Sequence, residues 1–558
     1  MRKIVAATSL WLVLGLLLAA CAPAAAPPPQ PAPTKEAPAA TAPRPTPPPP
    51  ATTTPVLPTD KPIYGGMLKT FGVNDLSNSD LHQAFSYLDH NPMAPIYSLL
   101  VRSDPKDINK IGPDLAERWD VSADGKAYTF YLRRGVKFHD GTPLTSADVK
   151  ASFDRIVSPP KGVLSQRQAY FDAVEKVETP DANIARFILK RPQAAFPAIV
   201  AVPFNAVFPK AILDQKGDMK KDMMGTGPFR FKEYIRGVQF EVEKNPDYFL
   251  PGLPYLDGVM RYIIPDSAAA KGAFVTGRLD LMQPSLYYGE PELKEMKKLR
   301  PDMVIPQALG FSLFSFIPNN DKKPWTDIRV RRAVMLALDK DALLAKHFPG
   351  IGVRGGFMPP GFWAIPTEEL LKLPGWGKQT PEDIAEAKRL LAEAGYPNGF
   401  SATFYERNIR EYVDQAVSYQ GLLGKIGIDL KLDVRENAAW LIIRRSPNFD
   451  TMGEASVNVE TGDPDVVVTR YLSGTSGNYA QYKNPKLDQL YREQSQTLDV
   501  AERKKKVLEI QRMMIEDLPF MPWSWQVYYA IHSPKVKGFI LPDGRYVGQN
   551  MEAVWLAR

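Results

Sequence analysis

Cysteine is almost absent from this chain. Its 558 residues include a single one, Cys21, which excludes an internal disulfide framework and any cysteine cluster around a metal. Histidine is scarce as well. His82, His90, His139, His347 and His532 are the full set of five, and none forms H-E-x-x-H or another local zinc spacing. No G-x-S-x-G elbow offers an acyl-transfer serine. Beyond the N-terminal segment no apolar run is long enough to span a bilayer, and no internal repeat is found. Charge is not concentrated either: 69 Lys and Arg against 62 Asp and Glu leave +7, with a pI near 9.0. A modest, dispersed excess of this kind gives no argument for nucleic-acid binding. These absences leave no candidate catalytic, metal or cofactor group.

What is present begins at the N-terminus. Met1-Arg2-Lys3 is a short basic segment, and Leu10 to Leu18 is an apolar run that is too short to span a membrane but fits a secretory signal. The run closes on Ala19-Ala20 and then Cys21. Leu18-Ala19-Ala20-Cys21 looks like a bacterial lipobox. In that class of signals residues 1–20 are removed and the cysteine thiol carries diacylglycerol, so Cys21 is the expected lipidation site. An ordinary secretory signal with a stray cysteine is the alternative. Either way the chain is expected outside the cytoplasm, in the periplasm or at the cell surface; the lipobox adds membrane anchoring. Residues 22–59 are almost entirely Pro, Ala and Thr, including Pro47-Pro48-Pro49-Pro50. Such a tract cannot form a core and favours an extended spacer of about 3.1 Å per residue. A linker over 21–59 follows.

The remaining body of roughly 500 residues exceeds what one core supports, so two or three domains are expected. With 44% hydrophobic and 23% charged residues it has ordinary globular composition. Tyr128, Phe130 and Leu132 alternate as in a half-buried strand, Asp140-Gly141 marks a turn, and Thr145 with Asp148 reads as a capping box. Val149, Phe153 and Ile156 would share the buried face of that helix, which Pro159 stops. Thr380-Pro381-Glu382-Asp383 starts another helix, with Ile384, Ala387, Leu391 and Ala394 buried and Gly395 at its C-terminus. Residues 425–432 read as a helix end running into a strand. The fold class is α/β. Gly350-Ile351-Gly352-Val353-Arg354-Gly355 satisfies G-x-G-x-x-G. Neither Lys346-His347-Phe348-Pro349 nor Phe357-Met358-Pro359-Pro360 supplies the strand and helix that a dinucleotide site needs, and a flexible loop is expected.

Ala116 through Val149 resembles the signature of the family 5 extracellular solute-binding proteins, the oligopeptide-, dipeptide- and nickel-binding proteins of ABC importers. That stretch includes Glu117-Arg118-Trp119, Gly135-Val136-Lys137-Phe138-His139-Asp140-Gly141 and Thr145-Ser146-Ala147-Asp148-Val149. Tyr64-Gly65-Gly66-Met67-Leu68, Gly225-Thr226-Gly227-Pro228-Phe229, Asn245-Pro246-Asp247-Tyr248-Phe249, Asp327-Ile328-Arg329, Ala394-Gly395-Tyr396 and Gly462-Asp463-Pro464 follow in family order. The resemblance implies the type II periplasmic-binding-protein fold, two lobes with a hinge and an extra inserted domain. Lobe I would comprise 60–97, 225–310 and 520–558, the inserted domain 98–224, and lobe II 311–519.

It also implies site residues. In peptide-binding members an Asp four residues before the Pro of the Gly-Asp-Pro motif binds the peptide amino group; that position holds Glu460, with Asp463 beside it. A surface loop glutamate is the plainer reading. Trp440 falls where an aromatic lines the pocket of dipeptide-binding members, and domain core is its alternative. Trp523 and Trp525 are placed near the hinge or cleft, or in the core, and Phe85 and Tyr87 on a cleft-facing or surface loop. The run Glu502-Arg503-Lys504-Lys505-Lys506 reads as the solvated face of a helix. The implied partners are a small ligand and the permease of an ABC transporter. Peptide comes first among ligands, with oligosaccharide, opine or nickel chelate also found on the scaffold. No cofactor is implied, and the chain is expected to be monomeric. A sensory receptor component on the same scaffold and a lipid-anchored peptide or glycan hydrolase are the alternatives. Cys21→Ser should shift the protein from the membrane pellet to the soluble fraction on ultracentrifugation; retention in the pellet would refute the lipid anchor.

Overall fold

The computed structural model describes residues 61–558 except 85, 283–289, 351, 454, 476 and 545. The segment 1–20, Cys21, the tract to residue 59 and Phe85 therefore lie outside the described residues.

The first sheet runs in the order Met67–Gly72, Gly258–Ile263, Gln239–Lys244, Phe229–Ile235. Its first pair is parallel and the other two are antiparallel. The chain between Met67–Gly72 and Phe229–Ile235 builds a second sheet, ordered Ala116–Val121, Ala127–Leu132, Ile184–Leu189, Val174–Asp181 and antiparallel throughout. Tyr128, Phe130 and Leu132 all face inward, because a period of two puts every second side chain on one face. The helix Ser146–Val157 covers that face. Val149, Phe153 and Ile156 are buried, and Phe153 meets Phe171 and Phe187 edge-on at 5.7 and 5.0 Å. The helix starts at the expected cap: the Thr145 N–H and hydroxyl donate to Asp148 at 2.8 and 2.9 Å.

This inserted segment is fastened to the first by buried charge. Arg155 donates to Asp80 at 2.6 Å, and Arg102 to Glu552 at 2.7 Å. Gly227 has no room for a side chain: a Cβ there would stand 2.4 Å from the carbonyl oxygen of Pro95.

The third sheet has seven strands. Gly352–Val353, Met521–Tyr529, Gln307–Pro318, Thr451–Met452, Phe400–Arg407 and Ile428–Arg435 lie in that order, and Ala455–Asn458 also pairs with Gln307–Pro318. The Thr380 cap forms as read, with reciprocal bonds to Asp383 of 2.8 and 3.2 Å. Gly395 is left-handed at φ +93°, as a helix C-terminus favours. Ala387 and Leu391 are buried, joined by Leu390, while Ile384 and Ala394 are half-buried. The helix Arg410–Gly424 links two parallel strands, Phe400–Arg407 and Ile428–Arg435, the crossover that parallel pairing requires.

The strand Met521–Tyr529 lies in the third sheet, paired antiparallel with Gln307–Pro318 from Gln307↔Tyr529 to Phe316↔Met521. The chain leaves that sheet only at Ile531–His532, which pairs with Leu281–Met282. Where a flexible loop is expected, part of the G-x-G-x-x-G segment is a strand: Gly352 and Val353 pair with Gln526 and Trp525, and a Cβ on Gly355 would lie 2.7 Å from the Trp525 ring.

Two buried histidines and a half-buried one tie the inserted segment to the segments that carry the first sheet. The His82 ring bonds the Ala206 carbonyl at 2.8 Å, and the His90 ring bonds the Pro203 carbonyl at 3.2 Å. His139 bonds the Gly227 carbonyl at 3.1 Å through Nε2 and accepts from the Gly225 N–H at 3.4 Å through Nδ1. Burial, first among the causes, lowers each to about 4. The unfolded chain binds more protons than the folded one between that value and the ordinary histidine value, so stability falls as pH drops through this window. The unfolding free energy from urea titrations should fall by roughly 1–2 kcal/mol per ring between pH 7 and 5. His139→Gln should lose its share of that slope; an unchanged slope would refute a neutral His139 in the fold.

Candidate ligand cleft

In α/β sheets ligands gather at the carboxyl ends of parallel strands. At this edge of the third sheet lie Glu406 and Arg407, closing the strand Phe400–Arg407, and Trp440 on the helix Asn437–Arg445. Glu460 follows the strand Ala455–Asn458.

Glu460 is not an exposed loop residue: its side chain is 15% accessible. Its Oε1 accepts from Arg167 at 3.3 Å, and its Oε2 accepts from the Tyr170 hydroxyl at 3.0 Å. Both partners belong to the inserted segment. Arg167 lies over the Phe204 ring at 3.6 Å and also donates to the Ala84 carbonyl. Burial, and then the Glu460 carboxylate, push the Tyr170 phenol up. Arg470 bonds Tyr170; although burial opposes its charge, Tyr170, Tyr479 and Glu460 together hold it above the usual arginine value. A cavity of about 30 Å³ adjoins this cluster, with Asp104, Pro203, Glu460, Thr461, Asp543 and Tyr546 among its walls. Burial raises the Asp543 carboxyl, which accepts from the Leu309 N–H at 2.7 Å. A larger concavity of about 860 Å³ lies on the helices Ser267–Val275 and Glu290–Leu299, reaching Pro349. Its lining shares no residue with the Glu460 junction, and the polar groups of interest converge at the smaller one.

Trp440 is buried, at 1% accessible, between two cations. Arg407 and Arg444 lie 5.3 and 5.0 Å from its ring. Arg407 also covers Tyr412 at 4.3 Å, and Arg444 covers Tyr479 at 4.2 Å. The indole Nε1 has no hydrogen-bond partner among the described residues. These arginines were missed in the sequence. Arg444, four residues after Trp440 on one helix face, carried a usable signal; Arg407 carried none.

The other sequence candidates fall elsewhere. Asp463 caps the helix Pro464–Val468, accepting from the Asp465 N–H at 2.8 Å. Arg503 grips it through two bonds of 3.0 and 2.7 Å and reaches Asp465 at 3.1 Å. Arg503 therefore departs from the expected solvated face: it is buried, while Glu502 and Lys505 on the same run are exposed. Burial raises Asp465 against the pull of Arg503. The Trp523 indole donates to the Tyr419 hydroxyl at 2.6 Å and stacks on Phe348 at 5.3 Å. The Trp525 indole donates to the Gly356 carbonyl at 2.9 Å. Both are buried in the third sheet's packing. Tyr87 opens the helix Tyr87–Met93, half-buried and near the buried Arg261.

Comparison with known proteins decides the class. The sequence profile of the bacterial extracellular solute-binding proteins, family 5 (middle region), matches residues 110–479. The chain belongs to this family. It is 28% identical over 477 residues to heme-binding protein A of Haemophilus influenzae, covering 80% of this chain and 84% of that protein. It is 28% identical over 447 residues to the glutathione-binding protein GsiB of Escherichia coli K12, covering 77% and 83%. The Helicobacter pylori periplasmic binding protein DppA, solved with the peptide STSA, superposes with a TM-score of 0.74 at 27% identity over 89% of this chain and 99% of that one. The family 5 chain thus has the two-lobe type II periplasmic-binding-protein fold, and its role is solute binding.

The Arg503 network makes a sharp test of this placement. Removing one member of a buried ion pair strands the others, so Arg503→Ala should lower the unfolding free energy by about 3–5 kcal/mol. Lys505→Ala, on the exposed turn, should change it by less than about 0.5 kcal/mol. Equal effects in urea titrations would contradict this placement.

Proposed function

We propose that this family 5 protein is the solute-capturing component of an ABC importer, held at the outer face of the membrane through Cys21 and delivering its solute to the permease. The observation that carries the reading is the junction at Glu460, where a residue of the third sheet's segment meets Arg167 and Tyr170 of the inserted segment beside a cavity. Two bodies that meet through polar side chains around a cavity can part and rejoin around a solute. Capture needs no covalent step. Binding excludes water, and aromatic walls such as Trp440 supply contact area with few rotors.

Short peptides are the solutes we place first. Two of the compounds named for its relatives, glutathione and STSA, are peptides; heme is the third. Mass spectrometry of the protein purified from its own membrane should find a co-purifying peptide. Thermal melting against a dipeptide-to-pentapeptide panel, glutathione and hemin should raise Tm for the correct class. A ligand at a hundred times its Kd adds about 2.7 kcal/mol to the folded state. A co-purifying sugar or opine in place of a peptide would redirect the solute class. No bound compound and no Tm shift across the panel would refute solute capture.

A further inference from the structure

The inserted segment is attached on two sides. Toward the body of the first sheet it is held by ion pairs: Arg155 is 4% and Asp80 0% accessible in the side chain, and Arg102 16% and Glu552 3%. Toward the third sheet's segment its contacts are both polar and apolar. Arg167 and Tyr170 take both oxygens of Glu460. The Ala194 N–H donates to the Ser495 carbonyl at 2.7 Å. Gly125 lies against Leu498, close enough that a Cβ on it would stand 2.9 Å from the leucine methyl.

The receiving face is built to hold its shape. The Ser495 hydroxyl donates to Asp465 at 2.7 Å, and Asp465 also accepts from Arg503 at 3.1 Å. Arg503 grips Asp463, three residues after Glu460. One buried network therefore positions both the Ser495 carbonyl and the loop that presents Glu460.

We infer that Glu460, Arg167 and Tyr170 form a closure latch made of the protein's own groups, so that Glu460 holds the closed form and does not read an ammonium group on the solute. This rests on the two-lobe capture proposed above. For a solute ammonium to take Glu460, Tyr170 and Arg167 must both let go, and a guanidinium would then face the incoming cation at like charge. Specificity accordingly lies with the other walls of the cleft. Loss of the latch weakens every solute by one common factor, because it lowers the fraction of closed protein on which all of them draw.

The interlobe distance tests this without a solute. Cys21 is the only cysteine, so in a Cys21→Ser background Lys176→Cys and Ile442→Cys accept spin labels cleanly. Both positions are exposed, one on the inserted sheet and one on the helix of Trp440. Pulsed dipolar spectroscopy of the unliganded protein should show a short-distance population. Glu460→Gln and Tyr170→Phe should each reduce it several-fold, and the pair together no further than the stronger of the two. Melting curves within a few degrees of the parent would show that both variants fold. A parent wholly at long distance, or a short-distance population that Glu460→Gln leaves unchanged while two populations persist, would overturn the latch. One fixed distance in parent and variants alike would overturn two-lobe capture itself.

Discussion

The antiparallel pair of Gln307–Pro318 and Met521–Tyr529 is the contact on which the rest of the structure depends. Its register runs across eight residue pairs, broken by irregularities after Gly310 and Phe314. Gly310 sits flush on the Tyr528 ring, where a Cβ would come within 1.6 Å, so no other residue fits that bend without displacing the aromatic. Past the bend the same two chain passages stay paired, through Val304↔His532, as they enter the territory of the first sheet. Two adjacent strands crossing together make a natural axis for a hinge, because small backbone rotations there move whole bodies while each core stays packed.

Buried charge holds two parts of the fold in place. Asp80 with Arg155 and Asp463 and Asp465 with Arg503 are almost wholly out of water. Such groups contribute little net stability, but removing one member leaves an uncompensated charge, so they tolerate only one arrangement. The first locks the inserted helix to its neighbour, and the second locks the loop and helix start that carry Glu460. At the Glu460 junction the carboxylate is 15% and the Arg167 side chain 3% accessible.

Aromatic–guanidinium stacking recurs around Glu460 and Trp440. Arg167 covers Phe204, Arg444 covers Tyr479, and Arg407 covers Tyr412 and flanks Trp440. Planar cations on planar rings keep their orientation with little loss of rotamer entropy on binding.

The sequence by itself determined whatever depends on neighbours along the chain. The Thr145 and Thr380 caps, the buried face of Tyr128, Phe130 and Leu132, the left-handed turn at Gly395 and membership of family 5 were all legible. Each rests on spacing of a few residues or on motifs kept in order. Only the tertiary structure decided which charges pair. Arg503 looked solvated because helical periodicity says nothing of an Asp463 partner 40 residues away. Glu460 was found by its place in a motif, but its partners Arg167 and Tyr170 lie 293 and 290 residues distant. Likewise the strand Met521–Tyr529 joined the third sheet because its partner, Gln307–Pro318, was there to complete the ladder. Hydrogen bonds and ion pairs act over a few ångströms in space whatever the separation along the chain, so the identity of their partners is settled only when distant segments have packed.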